Sequence, residues 1–289
     1  MNKALENDRL LKGDPRFCWV IALHAEARPV IEMFEMKIVS NELLFPVYIN
    51  SENGHCLVIS GIGSAKSAAA ATYLKTLLKV NEYAAWINLG IAGYFKEPIG
   101  KIYQVLKVQN QSTGEAFFPG MSFSELVSGA CLSTVNMPEE IFPDENLYDM
   151  EAAGFCEIAP LFSCNELTYV FKVVSDTAGK VRSSLTQKII KELIEKNLIS
   201  LSELVGAIEK LVEDEKERLS TPPEIFNITR NCHFTKSNTQ KLKQVYRKWK
   251  TVFPHKSLND ISYPPTSAKA LITQLEKELL GEVKNWKLM

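Results

Sequence analysis

The chain has 289 residues, of which 46% are hydrophobic and 23% are charged, and its formal net charge is −1. This composition is ample for one large folded domain with an appendage. No uninterrupted apolar run reaches the roughly 18 residues of a membrane span, and the opening segment MNKALENDRLLKGDPRF lacks the apolar stretch of a secretory signal. A cytoplasmic protein without membrane contact is therefore expected.

The six cysteines and four histidines are dispersed along the chain. The cysteines form no CxxC pair, which is typical of buried thiols in a reducing compartment. The histidines form no constellation with metal-ligand spacing. Neither a metal nor a cofactor is expected.

Charge is unevenly distributed. From Thr177 onward the chain carries 20 Lys and Arg residues against 13 Asp and Glu residues, so the first 176 residues are acidic. This asymmetry indicates an acidic body and a basic C-terminal part with different roles.

Short apolar runs alternate with helical stretches over the first two-thirds of the chain. The predicted strands are 17–23, 55–60, 83–90, 102–108, 131–135 and 168–176, and the predicted helices are 26–34, 64–79 and 150–162. Such alternation predicts an α/β domain with a largely parallel sheet.

The pattern after Asp176 is helical. Helices are predicted over 183–197 and 199–219, and the STPP stretch at 220–223 then interrupts the chain. Two further amphipathic segments, 238–253 and 266–283, predict a small helical hairpin. The predicted domains are therefore 1–219 and 220–289.

Candidate site segments follow several predicted strands, where ligands bind in parallel α/β sheets. The segments are residues 24–26, SGIG, LGIAG and SDTAG, and glycine in three of them lets a ligand approach the backbone closely. GIGSAK is not a dinucleotide-binding loop, because Lys66 stands where the fingerprint needs its third glycine and no acid follows the next strand.

Five motifs in one order carry a resemblance to a known family. ALHAEA, SGIG, NLGIAG, DMEAAG and VVSDTAG together resemble the nucleoside phosphorylase family, and they look closest to the methylthioadenosine/S-adenosylhomocysteine nucleosidases. The resemblance runs from about Phe17 to about Leu219. It implies a three-layer α/β domain with a mostly parallel central sheet, hydrolysis of the N-glycosidic bond of a purine nucleoside, and a homodimer.

The resemblance implies that Glu151 binds the ribose hydroxyls and that Met150 packs against the sugar. A buried carboxylate that holds two hydroxyls forms charge-assisted bonds of about 1.5–3 kcal/mol each, next to the positive charge that develops on the ribosyl group. The alternative interpretations are a carboxylate at a helix N-terminus and a methionine that fills the core.

Asp176 matches the acid that protonates the leaving purine, and Ser175 matches the residue that orients it. A free Asp is protonated only about once in 10³ at pH 7, so this role needs burial or a proton shared with the base. Capping of the next helix is the commoner fate of an Asp at a strand end.

Glu26 matches the carboxylate that activates the attacking water. Its alternative interpretation is an ordinary glutamate in the first turn of a helix. The resemblance also implies contact with substrate for four residues without ionisable side chains, which are Gly90, Ile91, Ala92 and Val135.

The nucleophile depends on anion ligands. Where the phosphorylase branch has an arginine and a serine, this chain has Asn88 and Ile91, which favours water over phosphate. Arg28 lies near Glu26 in the sequence and keeps phosphorolysis open as the alternative.

The stretch between GIAG and DMEA is shorter than is typical of the family. FFPGMSF (117–123) and STVNMP (133–138) stand where base-recognition elements are expected. The residues that contact the base within 94–149 are therefore left open.

Residues 230–256 contain eight Lys and Arg residues and no Asp or Glu. With Tyr246 and Trp249, this composition is compatible with nucleic-acid contact. The favoured interpretation is that the aromatic residues pack inward and the lysines face solvent. An inactive relative that acts as a binding module with a nucleic-acid-related partner is the alternative from another class.

Overall fold

The computed structural model describes residues 14–40, 42–95, 98–120, 122–139, 141–177, 185–220, 222, 224–226, 234–258 and 267–286. The chain forms two compact units, residues 1–217 and 218–289. The boundary expected from the sequence, between residues 219 and 220, stays a prediction. The first residues of the basic segment 230–256, up to residue 233, lie outside the described ranges.

The first unit is built on a ten-stranded sheet with the order β10-β6-β8-β9-β5-β1-β4-β3-β2, and β7 pairs with β6. β10 also pairs with β5, so β5, β10, β6, β8 and β9 close into a circuit. The strands are β1 (Phe17–Ile21), β2 (Lys37–Ile38), β3 (Val47–Asn50), β4 (His55–Ile59), β5 (Ala85–Tyr94), β6 (Ile102–Asn110), β7 (Ala116–Phe117), β8 (Ser128–Thr134), β9 (Leu147–Asp149) and β10 (Thr168–Thr177).

The sheet is mixed, so the predicted α/β class is confirmed, whereas the prediction that the sheet is mostly parallel is not. β4, β1, β5 and β10 run parallel to their neighbours in that series, as do β6, β8 and β9. The pairings β2–β3, β3–β4, β5–β9, β6–β7 and β6–β10 are antiparallel. Four of the strands involved, β2, β3, β7 and β9, have two to four residues, too few for a periodic sequence signal.

The helices are α1 (His24–Met33), α2 (Ser64–Leu78), α3 (Ala152–Ile158), α4 (Gln187–Glu195), α5 (Leu198–Leu219), α6 (Lys236–Val252) and α7 (Ala268–Trp286). The segment predicted as one helix over 150–162 is shorter than expected: α3 is followed by a 3₁₀ turn at Ala159–Leu161. The predicted helix 183–197 begins at Gln187, and residues 183–184 lie outside the described ranges.

Two hydrophobic clusters lie on the two faces of the sheet. Alternate residues of β1 enter opposite clusters, because successive side chains of a strand point to opposite faces. Trp19 packs with residues of α1, α4 and α5, whereas Val20 packs with residues of α2 and α3. Helices therefore cover both faces of the sheet.

The second unit has an apolar core between α6 and α7. Tyr246, Trp249, Leu271 and Leu275 are buried there, and the indole Nε1–H of Trp249 donates to Glu278 Oε2 at 2.9 Å. Tyr246 and Trp249 of the basic segment thus pack inward. Within the described ranges, none of the helices combines the length and the apolar character that crossing a bilayer requires.

Candidate active site

A cavity opens where β5, β9 and β10 end. Its volume is about 140 Å³, roughly ten times the space that one bound water needs, so a small molecule and a water can lie in it together. All residues predicted for the site except Gly90 line it: Glu26, Ile91, Ala92, Val135, Met150, Glu151, Ser175 and Asp176.

The segment GIAG belongs to β5, which extends to Tyr94, beyond the predicted strand end at residue 90. Its backbone pairs with β10 from Gly90 to Gly93, which places Ile91 and Ala92 on the wall of the cavity. Gly90 lies beneath the wall: a Cβ atom at this position would lie 3.1 Å from Glu26 Oε1 and 3.4 Å from Lys172 Nζ. Its lack of a side chain leaves room for both charged groups.

Glu26 is buried, with 3% of its surface exposed. Its Oε1 accepts the N–H of Ile91 at 2.9 Å, and its Oε2 accepts the N–H of Leu23 at 2.9 Å. The second bond closes the start of α1 as a capping glutamate does. Glu26 therefore has the ordinary structural role and also presents its carboxylate to the cavity.

Glu151 connects the cavity to two helix N-termini. It precedes α3, and its Oε1 accepts the N–H of Gly63, the residue before α2, at 2.8 Å. The small residues that follow allow this approach: a Cβ atom on Gly154 would lie 2.1 Å from the carbonyl oxygen of Ser64. The residues that follow Glu151 in MEAAG are thus small because the N-termini of α2 and α3 meet there.

Asp176 lies at an irregularity of β10. The pairing with β5 shifts register between Val174 and Asp176, and bulges of this kind re-aim side chains next to active sites. The shift brings Asp176 opposite Gly93. The hydroxyl of Ser175 lies within hydrogen-bonding distance of Asp176 Oδ1 and of the carbonyl oxygen of Ala92, and it donates its one proton to one of them at a time. Ser175 thereby fixes the orientation of the half-buried Asp176 carboxylate.

An ion pair beneath the cavity did not emerge from the sequence patterns. Lys172 Nζ lies 2.8 Å from Asp149 Oδ2, and the two side chains are 1% and 0% exposed. Asp149 also accepts the N–H of Ala152 at 2.8 Å and the hydroxyl of Thr134 at 2.7 Å. The available signal was the single lysine of TYVFKVVSD, because a lysine within a buried strand is rare unless it is paired.

Burial and mutual repulsion raise the pKa values of Glu26 and Glu151. Burial raises the pKa of Glu26, although the N–H of Ile91 and the charge of Lys172 oppose the shift. Burial, followed by the charge of Asp149, raises the pKa of Glu151 to about 7. Burial alone lowers the pKa of Lys172, but the charges of Asp149, Glu151 and Glu26 outweigh it and raise that pKa above its ordinary value.

Apart from the phenol of Tyr148, the ionisable side chains on the described wall are carboxylic acids. The carboxylic acids belong to Glu26, Glu139, Asp149, Glu151 and Asp176. Arg28, the cation left open as an anion ligand, is outside the described lining and pairs with Glu32 at 2.9 Å, with 69% of its side chain exposed. Asn88 is buried and donates to the carbonyl oxygen of Val20. This part of the cavity disfavours a bound anion.

Comparison with known proteins gave no match to any protein-family model and none to a curated protein. Solved structures are similar in fold. A 5'-methylthioadenosine nucleosidase of Arabidopsis thaliana has a TM-score of 0.56 at 17% identity, over 68% of this chain and 97% of that chain. A methylthioadenosine/S-adenosylhomocysteine nucleosidase of Helicobacter pylori, with butyl-thio-DADMe-Immucillin-A, has a TM-score of 0.56 at 12% identity, over 67% and 99%.

A third similar structure is the nucleosidase of Colwellia psychrerythraea in complex with adenine, with a TM-score of 0.54 at 18% identity, over 69% of this chain and 97% of that chain. This chain thus contains a mixed-sheet α/β fold that is similar to the fold of these nucleosidases. The particular fold is that of the methylthioadenosine/S-adenosylhomocysteine nucleosidases, so the resemblance predicted from the five motifs is confirmed at the level of fold.

Proposed function

We propose that the chain is an N-ribosyl hydrolase that cleaves a purine nucleoside of the methylthioadenosine or S-adenosylhomocysteine type into free base and free sugar. The observation that carries the proposal is the meeting of Glu26, Glu151 and Asp176 in one cavity, although they come from α1, the start of α3 and β10. Similarity to nucleosidases whose structures contain adenine or an immucillin supports the substrate class.

Glu26 and Asp176 approach β5 at different residues, which supports different catalytic roles for the two carboxylates. Glu26 accepts the N–H of Ile91, and Asp176 lies opposite Gly93, two residues further on. Two residues of extended strand span roughly 7 Å. This is the spacing of the backbone positions next to the two carboxylates, and it puts them at separate points of the cavity, as a base that acts on water and an acid that acts on the leaving group require.

In the proposed reaction Glu26 takes a proton from the attacking water, and its raised pKa makes it a stronger base. Glu151 holds the ribose hydroxyls, with Met150 against the sugar. Asp176 supplies or shares the proton that leaves with the base, and Ser175 holds it in orientation. Ile91, Ala92 and Val135 complete the apolar wall. The developing positive charge on the ribosyl group lies among carboxylates, which lowers its free energy.

The test is incubation with a panel of nucleosides, including methylthioadenosine, S-adenosylhomocysteine, adenosine and inosine, each with and without phosphate. Chromatography measures the free base, and a reducing-sugar assay separates free ribose from ribose 1-phosphate. We expect base and free sugar at a rate that phosphate does not increase, because the described wall is acidic. Accumulation of ribose 1-phosphate contradicts hydrolysis, and release of no base contradicts an enzyme.

A mock preparation from the same host without this chain, purified in parallel, shows how much cleavage comes from contaminating host enzymes. The expected homodimer and the cytoplasmic location stay predictions. Sedimentation velocity tests the first and localisation of a tagged chain tests the second.

A further inference from the structure

We propose that Lys66 adapts the site to nucleosides whose 5' substituent ends in a carboxylate, because its ammonium group lies beside the turn that joins the cavity to Glu151. The proposal rests on the proposed function. It selects S-adenosylhomocysteine, which has such a carboxylate, over methylthioadenosine, which has none. Lys66 lies in the first turn of α2 and is exposed. In the sequence, this lysine only excluded a dinucleotide-binding loop.

The turn before α2 forms one edge of the cavity. The N–H of Gly61 donates to the carbonyl oxygen of Ala22 at 3.0 Å, and Ala22 and Ile62 both line the cavity. The N–H of Gly63 donates to Glu151 Oε1 at 2.8 Å. Gly61 and Gly63 are separated by at most about 7 Å, because two residues of extended chain span no more. A short aliphatic substituent on a ribose held by Glu151 can therefore reach this turn.

The side chain of Lys66 lies across the same turn. A Cβ atom on Gly61 would lie 3.3 Å from Lys66 Cδ and 3.8 Å from Lys66 Nζ. Gly61 has a φ of 79°, which favours glycine, and its missing side chain leaves the surface of the turn open to the lysine. Lys66 is thus folded back from α2 onto the edge of the cavity.

No group on the described part of the protein accounts for this lysine. Among the residues that the structure describes, its ammonium group has neither a hydrogen bond nor an ion pair. A positive charge in the first turn of a helix is unfavourable, because the free N–H groups there are partly positive. The first turn of α2 contains no acid that would offset it. Neither pairing nor helix stability explains Lys66, whereas an anionic ligand does.

The charge of the cavity gives such a cation a role. The carboxylic acids on the wall are not balanced by any lysine or arginine in the described lining. A substrate that brings its own carboxylate to this wall is repelled, whereas an uncharged methylthio group is not. A lysine at the edge of the cavity offsets the repulsion and attracts the anionic end of the substrate from solvent.

The experiment compares the KM values for S-adenosylhomocysteine and methylthioadenosine in the full-length protein and in Lys66→Met, which keeps the aliphatic length and removes the charge. The ratio of the first KM to the second is expected to rise about three-fold in Lys66→Met, as loss of an exposed ion pair implies. Lys66→Arg keeps the charge and should keep the ratio. In the unmodified protein the ratio should also rise with salt, because screening weakens the contact.

Lys79→Met is the matched control. Lys79 is exposed and follows the C-terminal end of α2, roughly 20 Å from Lys66 along the helix. As a second control, 5'-(3-aminopropylthio)adenosine keeps the ammonium group of the homocysteine tail but lacks its carboxylate, and it should lose no affinity in Lys66→Met. Thermal melting identifies a variant that fails to fold, and Lys66→Gln then replaces Lys66→Met.

An equal change of both KM values in Lys66→Met overturns the proposal, and so does cleavage of methylthioadenosine by a protein that does not bind S-adenosylhomocysteine. Stimulation of methylthioadenosine cleavage by inorganic phosphate that disappears in Lys66→Met assigns the lysine to a free anion and overturns it too.

If the unmodified protein cleaves neither nucleoside, the proposed function is contradicted, and calorimetry with S-adenosylhomocysteine tests Lys66 separately. Binding that weakens in Lys66→Met but not in Lys79→Met then supports the contact with the carboxylate. Absence of binding, or binding that Lys66→Met leaves unchanged, overturns it.

Discussion

The two compact units differ in whether they bury charged side chains. The first buries Glu26, Asp149, Glu151 and Lys172 around its cavity. In the second, the buried residues that the structure describes, from Ile225 to Leu275, are all hydrophobic. Its described ion pairs, such as Lys241 with Glu276 at 3.1 Å, remain about half exposed.

This difference indicates where chemistry is expected. Burying a charged side chain costs free energy of folding, and an apolar side chain in its place would avoid that cost. Buried charged side chains are therefore found at functional sites more often than elsewhere. The second unit builds a stable apolar core between two helices without that cost. Substitutions in the first unit should therefore change activity and stability strongly, and changes in the second should have small effects.

The largest effect is expected for Asp176→Asn. Removal of a general acid lowers kcat by about 10²- to 10⁴-fold, with KM little changed, because only proton transfer is lost. Steady-state kinetics on a nucleoside with a poor leaving base measures the loss. Near-full activity of this variant on such a substrate would show that Asp176 is not the acid.

The next effect concerns the buried ion pair. Lys172→Met leaves Asp149 charged and unpaired, which costs about 3–5 kcal/mol in the free energy of unfolding. Urea denaturation measures it, with Lys241→Met as the matched control. Lys241 is 55% exposed, so loss of its pair with Glu276 costs less than about 1 kcal/mol.

Adding Asp149→Asn to Lys172→Met should recover part of the lost stability, because the unpaired charge is removed. Equal losses in the free energy of unfolding for Lys172→Met and Lys241→Met would contradict the difference between the two units.

A third prediction concerns the pH dependence of stability. The pKa of Glu151 in the folded chain is about 7, above its ordinary value of 4.5. The folded state thus binds this proton more tightly than the unfolded chain, so stability falls as pH rises from about 4.5 to about 7, by about 3 kcal/mol in total. Glu151→Gln should raise Tm at pH 8 and leave it nearly unchanged at pH 5.

Glu157→Gln, on the exposed side of α3, is the control for these melting curves and should shift Tm little at either pH. In activity, Glu151→Gln should weaken both affinity and rate, because the ribose is held in ground and transition states. For the unmodified enzyme kcat/KM should fall as pH drops below about 7, where Glu151 becomes protonated. A Tm gain of equal size at both pH values would contradict the assigned titration.

The smallest effect on chemistry is expected from removal of residues 221–289. The proposed site residues all precede this segment, so kcat/KM should stay within about two-fold. Gel shifts at two salt concentrations test the alternative role of the basic segment 230–256. Binding of DNA or RNA that falls steeply with salt and disappears on truncation would favour a nucleic-acid-binding module over a packed hairpin.

The sequence by itself determined the long elements and eight of the residues that line the cavity. β1 is a continuous apolar run, β4, β5 and β10 are largely apolar, and α2 is rich in alanine, so local composition was sufficient to predict them. The motifs around Glu26, Glu151 and Asp176 lie at the ends of such elements, and parallel packing brings strand ends to one edge. The roles of these three residues stay proposals.

Tertiary structure alone decided the rest. The antiparallel pairing of β9 with β5 needs only two residue pairs, which leave no periodic trace in the sequence. In the sequence, Lys172 is a single lysine in an apolar strand, and only the folded chain brings Asp149 within 2.8 Å of it. Phe142 is one aromatic residue in an irregular loop, and its contact with Gly93 joins positions 49 residues apart. Local sequence encodes backbone preference and burial, whereas contacts between distant residues depend on how the elements pack.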